Sequence, residues 1–256
     1  MSMPIRSSPT DGEGTIVLNG VTKRFGTKAA VRDLSLTIGR GELFAFLGHN
    51  GAGKTTTIRM IVGLLRANSG DVRVCGHRVG VNGLAARARL AYVPDQPFTY
   101  DKLTGREFLF FVAEMYGVPD DRRDRILDTL VRRLDIAEFL DHLTEGYSHG
   151  MKQKVVLAAA LLHEPLVLVI DEPTVGLDPR SVRVVKDLFR EHTARGGTIF
   201  MSTHTLDIAE AVADRIGIIH RGELIAVGTL AELRAQARRQ HSLEEIFLEL
   251  TEAKDA

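Results

Sequence analysis

The sequence predicts a mixed α/β fold, and three observations support that class. Strand-like apolar runs alternate with helix-like periodic segments along most of the chain. The run Leu166–Ile170 is apolar throughout, which is typical of a parallel strand buried on both faces. A glycine-rich loop at Gly48–Thr57 joins a strand to a helix. The length of 256 residues suffices for one large domain of this class or two small ones.

Composition limits the kind of protein that the chain can be. Apolar residues make up 44% of the chain and charged residues 26%, as in ordinary globular proteins. Lysine and arginine together number 33, as do aspartate and glutamate, which argues against a protein that coats nucleic acid. No apolar run approaches the roughly 20 residues of a membrane-spanning helix, and the single cysteine fits a reducing compartment. We therefore expect a cytoplasmic protein without a nucleic-acid partner.

Apolar runs bounded by turn residues predict the strands, and apolar periodicity predicts the helices. The predicted strands are Ile16–Val21, Val31–Ile38, Glu42–Leu47, Val72–Val74, Leu90–Val93, Leu166–Ile170, Thr198–Met201, Ile216–His220 and a hairpin strand at 223–227. The predicted helices carry Ile58, Ile61, Leu64 and Leu65, cover 104–116, 120–133 and 150–163, and begin at Pro179. Two short helices complete the chain, each opened by a capping box, Thr229 with Glu232 and Ser242 with Glu245.

The chain divides into regions of different character. Residues 1–14 are polar and lack the apolar segment of a secretory signal, so we expect a disordered leader. Residues 95–147 carry helix signals and no strand signal, beginning with a capping box of Thr104 and Glu107. We predict a helical subdomain at about 95–163, inserted in a domain that spans 15–228, and a helical extension at 229–256.

The glycine-rich loop carries a phosphate-binding pattern. The residues GHNGAGKT, from Gly48 to Thr55, match G-x-x-x-x-G-K-[ST] at every fixed position. Glycines allow backbone N–H groups to converge on phosphate oxygens, and the helix that follows adds its positive N-terminus. We predict that Lys54 reaches the β- and γ-phosphates of a nucleotide and that Thr55 binds Mg²⁺. The predicted nucleotide contacts of this segment are Gly48, Asn50, Gly51, Ala52, Gly53, Lys54, Thr55 and Thr56.

An acidic pair follows the apolar strand Leu166–Ile170. Ligands gather at the carboxyl ends of parallel strands, where Asp171 and Glu172 lie. Asp171 is therefore a candidate to hold Mg²⁺, directly or through water, and Glu172 a candidate to polarise the water that attacks the γ-phosphate. By itself the pair is equally compatible with an acidic turn, but a phosphate loop earlier in the chain favours the catalytic interpretation.

Further segments resemble motifs of the ATP-binding cassette (ABC) ATPases. The segment from Tyr147 to Gln153, YSHGMKQ, resembles the signature motif that is usually written LSGGQ. Val175–Asp178 is similar to the D-loop of the family, Ser202–His204 to its switch histidine, and Arg24–Gly26 to the segment whose aromatic residue stacks on adenine. The resemblance runs from about Ile16 to Gly228 with every motif in order.

The resemblance implies a P-loop NTPase core of the RecA-like type, with an N-terminal antiparallel β subdomain and an inserted α-helical subdomain. It implies an ATPase that uses ATP and Mg²⁺ and that powers an ABC transporter through separate integral membrane subunits. Such subunits act as head-to-tail dimers with a second cassette, either an identical copy or a close homologue, on the inner face of the cell membrane. The residues it assigns are Phe25 to adenine, Ser148 and Gly150 to the partner's γ-phosphate, His204 to catalysis with Glu172 and Lys54, and Asp178 to the dimer interface.

The sequence departs from the family pattern at several positions. The signature has Tyr147 for leucine, His149 for the first glycine and Met151 for glutamine, but keeps the serine and the second glycine. This form resembles exporters whose membrane subunits are separate polypeptides. The Q-loop glutamine, which couples Mg²⁺ and water to the membrane partner, aligns with Asp95, and Gln96 is the alternative. Phe25 replaces a tyrosine and keeps its stacking surface.

The segment 104–116 is unusually rich in apolar residues. One face must pack inside the helical subdomain, and the excess, together with Phe98 and Tyr100, is a candidate groove for a cytoplasmic helix of a membrane subunit. The alternative is a helix that is simply buried. Phe98, Tyr100, Gln96 and Asp178 are therefore the candidate coupling and dimer residues.

Two other functions stay open at this point. A soluble ABC ATPase that acts on a ribosome or DNA is disfavoured, since the chain has one cassette and no long coiled-coil insertion. A cassette that binds ATP and only regulates is disfavoured by the presence of both Glu172 and His204. A P-loop GTPase is disfavoured more strongly, since the sequence has no N-K-x-D segment to recognise guanine. The sequence favours export over import only through its signature, and it does not identify the transported substrate.

Overall fold

The computed structural model describes residues 14–80, 83–236 and 242–255, so the predicted leader lies outside the described residues except for Gly14. The strands are β1 (Ile16–Phe25), β2 (Lys28–Ile38), β3 (Leu43–Leu47), β4 (Ser69–Val74), β5 (His77–Arg78), β6 (Leu90–Val93), β7 (Val167–Asp171), β8 (Thr198–Thr203), β9 (Arg215–His220) and β10 (Glu223–Gly228). The helices are α1 (Lys54–Ile61), α2 (Leu84–Arg87), α3 (Gly105–Met115), α4 (Asp120–Leu134), α5 (His149–Leu162), α6 (Pro179–Ala194), α7 (Leu206–Val212), α8 (Leu230–Gln236) and α9 (Leu243–Asp255).

The strands form two sheets, which confirms the predicted α/β class. Near the N-terminus, four strands pair antiparallel in the order β2-β1-β4-β5. The larger sheet has six strands in the order β10-β9-β3-β8-β7-β6, and β9, β3, β8, β7 and β6 are parallel. Because β3 and β7 both pair with β8, the phosphate loop after β3 and the acidic pair at the end of β7 meet at one edge of this sheet.

The larger sheet is covered on both faces. Leu43, Ala45 and Leu47 of β3 belong to a hydrophobic cluster with the helices from α3 onward. Phe44 and Phe46, on the opposite face, belong to a second cluster with α1 and the antiparallel sheet. The period of two residues therefore divides a continuously apolar strand between two cores. No helix in the described ranges combines the length and the apolarity that crossing a bilayer requires.

Several predicted helix starts are confirmed, and one predicted helix is wrong in length. The capping box of Thr104 with Glu107 and the N-cap Asp178 are present, as are the hydrogen bonds of the two C-terminal capping boxes. The helix after the phosphate loop ends at Ile61 and does not reach Leu65. Gly63 has a φ of 77°, which turns the chain away from the helix, and Leu64 is 68% exposed.

Candidate functional site

The phosphate loop begins where β3 ends, and it is closely packed. A Cβ atom added at Gly53 would lie 2.6 Å from the carbonyl oxygen of Ala30 in β2, and the φ of 117° at Gly53 disfavours any other residue. A Cβ atom at Gly48 would lie 2.6 Å from the carbonyl oxygen of Ile219 in β9. Because these glycines lack a Cβ atom, the loop that follows β3 packs directly against β2 and β9.

The start of α1 is prepared for an anion. Among the described residues, no side chain caps this helix, and its first turn carries no acidic residue. Its first N–H groups and its positive dipole end are therefore available to phosphate oxygens. Lys54 is almost fully buried, and its Nζ donates to the carbonyl oxygens of Gly48, at 2.7 Å, and His49, at 3.4 Å.

Burial and nearby carboxylates act in opposite directions on Lys54. Burial lowers the pKa of the Lys54 ammonium from its ordinary value, and the negative charges of Glu172, Asp171 and Asp95 partly oppose that shift. The buried ammonium lacks the solvation that bulk water would provide. Phosphate oxygens entering the cavity would supply a strong counter-charge.

The acidic pair is held by the end of β8. Asp171 is buried and accepts a hydrogen bond from the hydroxyl of Ser202. Glu172 has a φ of 53°, in the left-handed region, and its N–H donates to the carbonyl oxygen of Ser202 at 3.0 Å. Such strained backbone is common at functional sites.

Glu172 and His204 are direct neighbours. Nδ1 of His204 lies 2.9 Å from Oε1 of Glu172. Oε2 of the same carboxylate accepts from Thr203 Oγ1 at 3.2 Å and from the backbone N–H of His204 at 3.4 Å. The carboxylate is therefore oriented by three donors at the end of β8 and in the residue that follows it.

One cavity of about 600 Å³ collects most of the predicted nucleotide site. Of the predicted residues, it is lined by Phe25, Asn50, Gly51, Gly53, Lys54, Thr55, Thr56, Asp95, Asp171 and Glu172. Gln96 is not among its lining residues, so the geometry favours Asp95 of the two alternatives. Phe25 is 54% exposed at the cavity, and Nζ of Lys23 lies 5.2 Å from its ring centroid. The volume lies in the range of small-molecule sites.

The cavity also contains the donor set that Mg²⁺ prefers. The hydroxyl of Thr55 and the carboxylates of Asp171 and Asp95 all line it. Magnesium binds hard oxygen ligands and is usually held by one or two carboxylates together with the phosphates of a substrate. The residues therefore fit the predicted ion.

Six further lining residues were missed by the sequence motifs. They are Lys28, Ala29, Ala30, Arg32, His49 and Arg221. His49 lies inside the phosphate loop and could have been included. The others come from β2 and from the turn between β9 and β10, and neither segment carries a recognisable pattern. Only the order of the strands brings them to the loop.

The signature segment lies outside this cavity. Ser148 is the exposed N-cap of α5, and its Oγ accepts from the N–H of Met151 at 3.3 Å. Tyr147, which takes the place of leucine, is buried, and its hydroxyl donates to the carbonyl oxygen of Phe139 at 2.6 Å. The extra hydroxyl is thus satisfied, so this departure preserves the packing.

The signature segment and the D-loop are packed against each other. A Cβ atom added at Gly150 would lie 2.5 Å from the carbonyl oxygen of Gly176, and the ring of His149 covers Gly176 from the other side. Asp178 caps α6, and hydrogen bonds from Ser181 lower its pKa to about 2. Ser148, Gly150 and Asp178 do not line the cavity that holds Lys54.

Three aromatic side chains form a second exposed feature, which we call the aromatic patch: Phe98, Tyr100 and Phe111. The ring centroid of Tyr100 lies 5.5 Å from those of both Phe98 and Phe111, and Phe98 is 67% exposed. Leu109 and Ala113, on another side of α3, are buried in the hydrophobic cluster of the helices, and Phe108 is buried with its ring centroid 6.3 Å from that of Tyr100. The helix is therefore buried on one face and exposes aromatic surface on another.

Comparisons with known proteins agree with the fold and the motifs. The family model described as "ABC transporter" matches residues 31–175. The linearmycin resistance ATP-binding protein LnrL of Bacillus subtilis (strain 168) is 36% identical over 213 residues, which cover 83% of this chain and 68% of that protein. The Nod factor export ATP-binding protein I of Burkholderia lata is 37% identical over 213 residues, covering 83% of this chain and 70% of that protein.

A solved structure described as the ATP binding subunit of an ABC transporter superposes with a TM-score of 0.89. It is 35% identical in sequence and covers 93% of this chain and 99% of its own. The match therefore extends well beyond the phosphate loop, to the helical layer and the C-terminal elements. The chain belongs to the ABC transporter family, as one of its ATP-binding subunits.

Proposed function

We propose that this chain hydrolyses ATP and thereby powers transport through separate integral membrane subunits. The observation that carries the proposal is the convergence of Lys54, Asp171 and Glu172 on one cavity at the carboxyl edge of the sheet. Lys54 suits phosphate binding, Asp171 suits Mg²⁺ and Glu172 suits the activation of water. A site that only binds nucleotide does not need a residue in the role of Glu172.

In this proposal the cavity holds ATP along its length. Adenine stacks on the exposed ring of Phe25, and the N–H groups of the phosphate loop with Lys54 bind the β- and γ-phosphates. Thr55, Asp171 and Asp95 hold Mg²⁺, which when bound supplies positive charge that neutralises the phosphate oxygens. Support comes from the lining of the cavity and from the open N-terminus of α1.

Glu172 orients the attacking water and accepts its proton, and His204 keeps the carboxylate in place through Nδ1. The second ring nitrogen of His204 remains for the γ-phosphate and the water. Little covalent chemistry is required of the protein in phosphoryl transfer, so positioning and charge dominate. The three hydrogen-bond donors around the Glu172 carboxylate support its role as a fixed base.

The complete site requires a second cassette. Ser148 is the exposed N-cap of α5, and within the described chain no acidic side chain occupies the first turn of this helix. This anion-binding end does not face the cavity of its own chain, which supports a head-to-tail dimer where each signature segment closes the partner's site. The second cassette is an identical copy or a close homologue.

Mixing two inactive variants tests the composite site. We expect Lys54→Ala and Ser148→Glu each to abolish ATPase activity, because every site in either homodimer lacks one half. An equimolar mixture forms heterodimers with one intact site, so about a quarter of the unaltered activity should return. The measurement is phosphate release at fixed total protein. No recovery in a mixture that forms dimers, or full activity of either variant at any dilution, contradicts the proposal.

The membrane partner is proposed to dock at the aromatic patch. Exposed aromatic rings that contact one another suit the apolar face of a cytoplasmic helix from a permease subunit. Docking there would hold the chain on the inner face of the cell membrane. Relatives named for export and for antibiotic resistance support transport outward.

Polar substitution of the aromatic patch should separate hydrolysis from transport. We expect Phe98→Ser with Tyr100→Ser to reduce co-purification with the membrane subunits and to abolish transport, while basal ATPase activity stays near that of the unaltered chain. Leu64→Ser, an equally exposed apolar residue outside the patch, is the control. Retained transport by the double variant would place the docking surface elsewhere.

A further inference from the structure

The turn between β9 and β10 forms a side of the nucleotide cavity that no motif covers. His220 pairs with Glu223, and the two residues between them, Arg221 and Gly222, have φ angles of 48° and 86°. Two positive φ angles in a two-residue hairpin loop define a type I′ turn. The N–H of Gly222 donates to the carbonyl oxygen of Ala52, at 2.8 Å, so the turn is hydrogen-bonded directly to the phosphate loop.

Arginine is a poor residue for the position that Arg221 occupies. Type I′ turns favour asparagine, aspartate or glycine at the first central position, because other side chains are strained at positive φ. The turn itself therefore gives no reason for an arginine. Backbone strain of this kind is characteristic of functional sites, and Arg221 lines the nucleotide cavity.

The chemistry of the cavity supplies a reason. Its acidic residues, Asp95, Asp171 and Glu172, suit Mg²⁺ and water, and Lys54 is one cation facing a ligand with several negative charges. Arg32, another lining residue, has its guanidinium 3.4 Å from the carboxylate of Glu223. A guanidinium presents a planar fork of donors that matches two phosphate oxygens. The turn places Arg221 beside the loop where those oxygens would bind.

We propose that Arg221 is a nucleotide-binding residue that contacts the phosphates of ATP. The inference rests on the proposed function of the cavity as an ATP site. It assigns to the β9–β10 turn a role in affinity, separate from the roles of the phosphate loop and the acidic pair. In this proposal the strained backbone of Arg221 is tolerated because the residue brings a guanidinium group to that side of the ligand.

Arg221→Asn tests the proposed phosphate contact, because the variant should not lower the stability of the protein but should weaken its binding of nucleotide. Asparagine relieves the turn, so the melting temperature of the nucleotide-free protein should stay the same or rise. It also removes the guanidinium, so the dissociation constants of fluorescent ATP and ADP analogues should rise about five-fold. Arg221→Lys should keep part of the affinity, since it keeps the charge but not the fork.

The chain offers a matched control in a second hairpin. Cys75 and Gly76 connect β4 to β5 with φ angles of 49° and 75°, and they do not line the cavity. Cys75→Asn makes the same relief of strain in the same type of turn, and nucleotide affinity should not change. Affinity of Arg221→Asn within two-fold of the unaltered chain would overturn the inference, as would weaker binding that accompanies a lower melting temperature. Failure of the unaltered chain to bind ATP would overturn the proposed function and this inference with it.

Discussion

Glu172→Gln should lower ATP turnover by about 10²- to 10⁴-fold while ATP binding is retained. The amide has the size of the carboxylate and still accepts hydrogen bonds from Thr203 and His204, but it is too weak a base to take the proton of the attacking water. ATP should therefore remain bound, and the dimer that it closes should accumulate. Phosphate release gives the rate, and size-exclusion chromatography in ATP shows the trapped dimer.

Glu164→Gln is a suitable control for this variant. Glu164 also has a positive φ, of 50°, but it is exposed and paired with Arg122, outside the cavity. Its replacement should leave turnover unchanged. If Glu172→Gln hydrolyses ATP near the normal rate and traps no dimer, another group activates the water.

Lys54→Met should weaken ATP binding by about 10²-fold, because a charge-assisted contact with the phosphates inside a buried site is lost. The fold should tolerate the change. Burial lowers the pKa of Lys54, so its charged form is disfavoured in the empty folded state, and removing the charge relieves that cost. The same change removes the hydrogen bonds to the carbonyl oxygens of Gly48 and His49, which opposes the gain. The melting temperature of the empty protein should therefore change little, while the increase that ATP produces in the unaltered protein is lost.

The same pKa shift predicts how ATP affinity depends on pH. The lowered pKa means that Lys54 of the empty protein loses its proton at a lower pH than an ordinary lysine. ATP affinity should accordingly weaken in the alkaline range below the usual lysine pKa, and Lys54→Met should not share that dependence. Lys186→Met, on α6 outside the cavity, is the control for both measurements. An ATP-dependent increase in melting temperature that survives in Lys54→Met would remove Lys54 from the phosphate site.

The parts of the site that sequence could predict are those that depend on neighbouring residues. The phosphate loop needs glycines, a lysine and a following helix within a few positions, and Asp171 and Glu172 follow directly from an apolar strand. Helix starts were predictable for the same reason, since a capping box such as Thr104 with Glu107 is complete within four residues. The early end of α1 depends instead on Gly63, whose left-handed backbone the apolar periodicity could not reveal.

The remaining features depend on topology. The pairing of β7 with β8 brings His204 to Glu172, and the pairing of β3 with β9 brings the Arg221 turn to Ala52. No local pattern in the sequence encodes either contact. That Asp95 lines the cavity while its neighbour Gln96 does not is likewise a feature that the sequence does not show. The chemical groups of the site were therefore predictable from the sequence, but the strand order that brings them together was not.

The contact between Gly150 and Gly176 bears on how two nucleotides could influence each other. It joins backbone to backbone, with no side chain to absorb a displacement. Glu172 lies four residues from Gly176, and Ser148 lies two residues from Gly150. In a head-to-tail dimer, Glu172 and Ser148 of one chain would contact different nucleotides. A displacement of Glu172 when its nucleotide loses a phosphate would therefore reach Ser148 through a short stretch of the same polypeptide. Such a contact would let the state of one nucleotide change how firmly the other is held, while each site keeps its own catalytic groups.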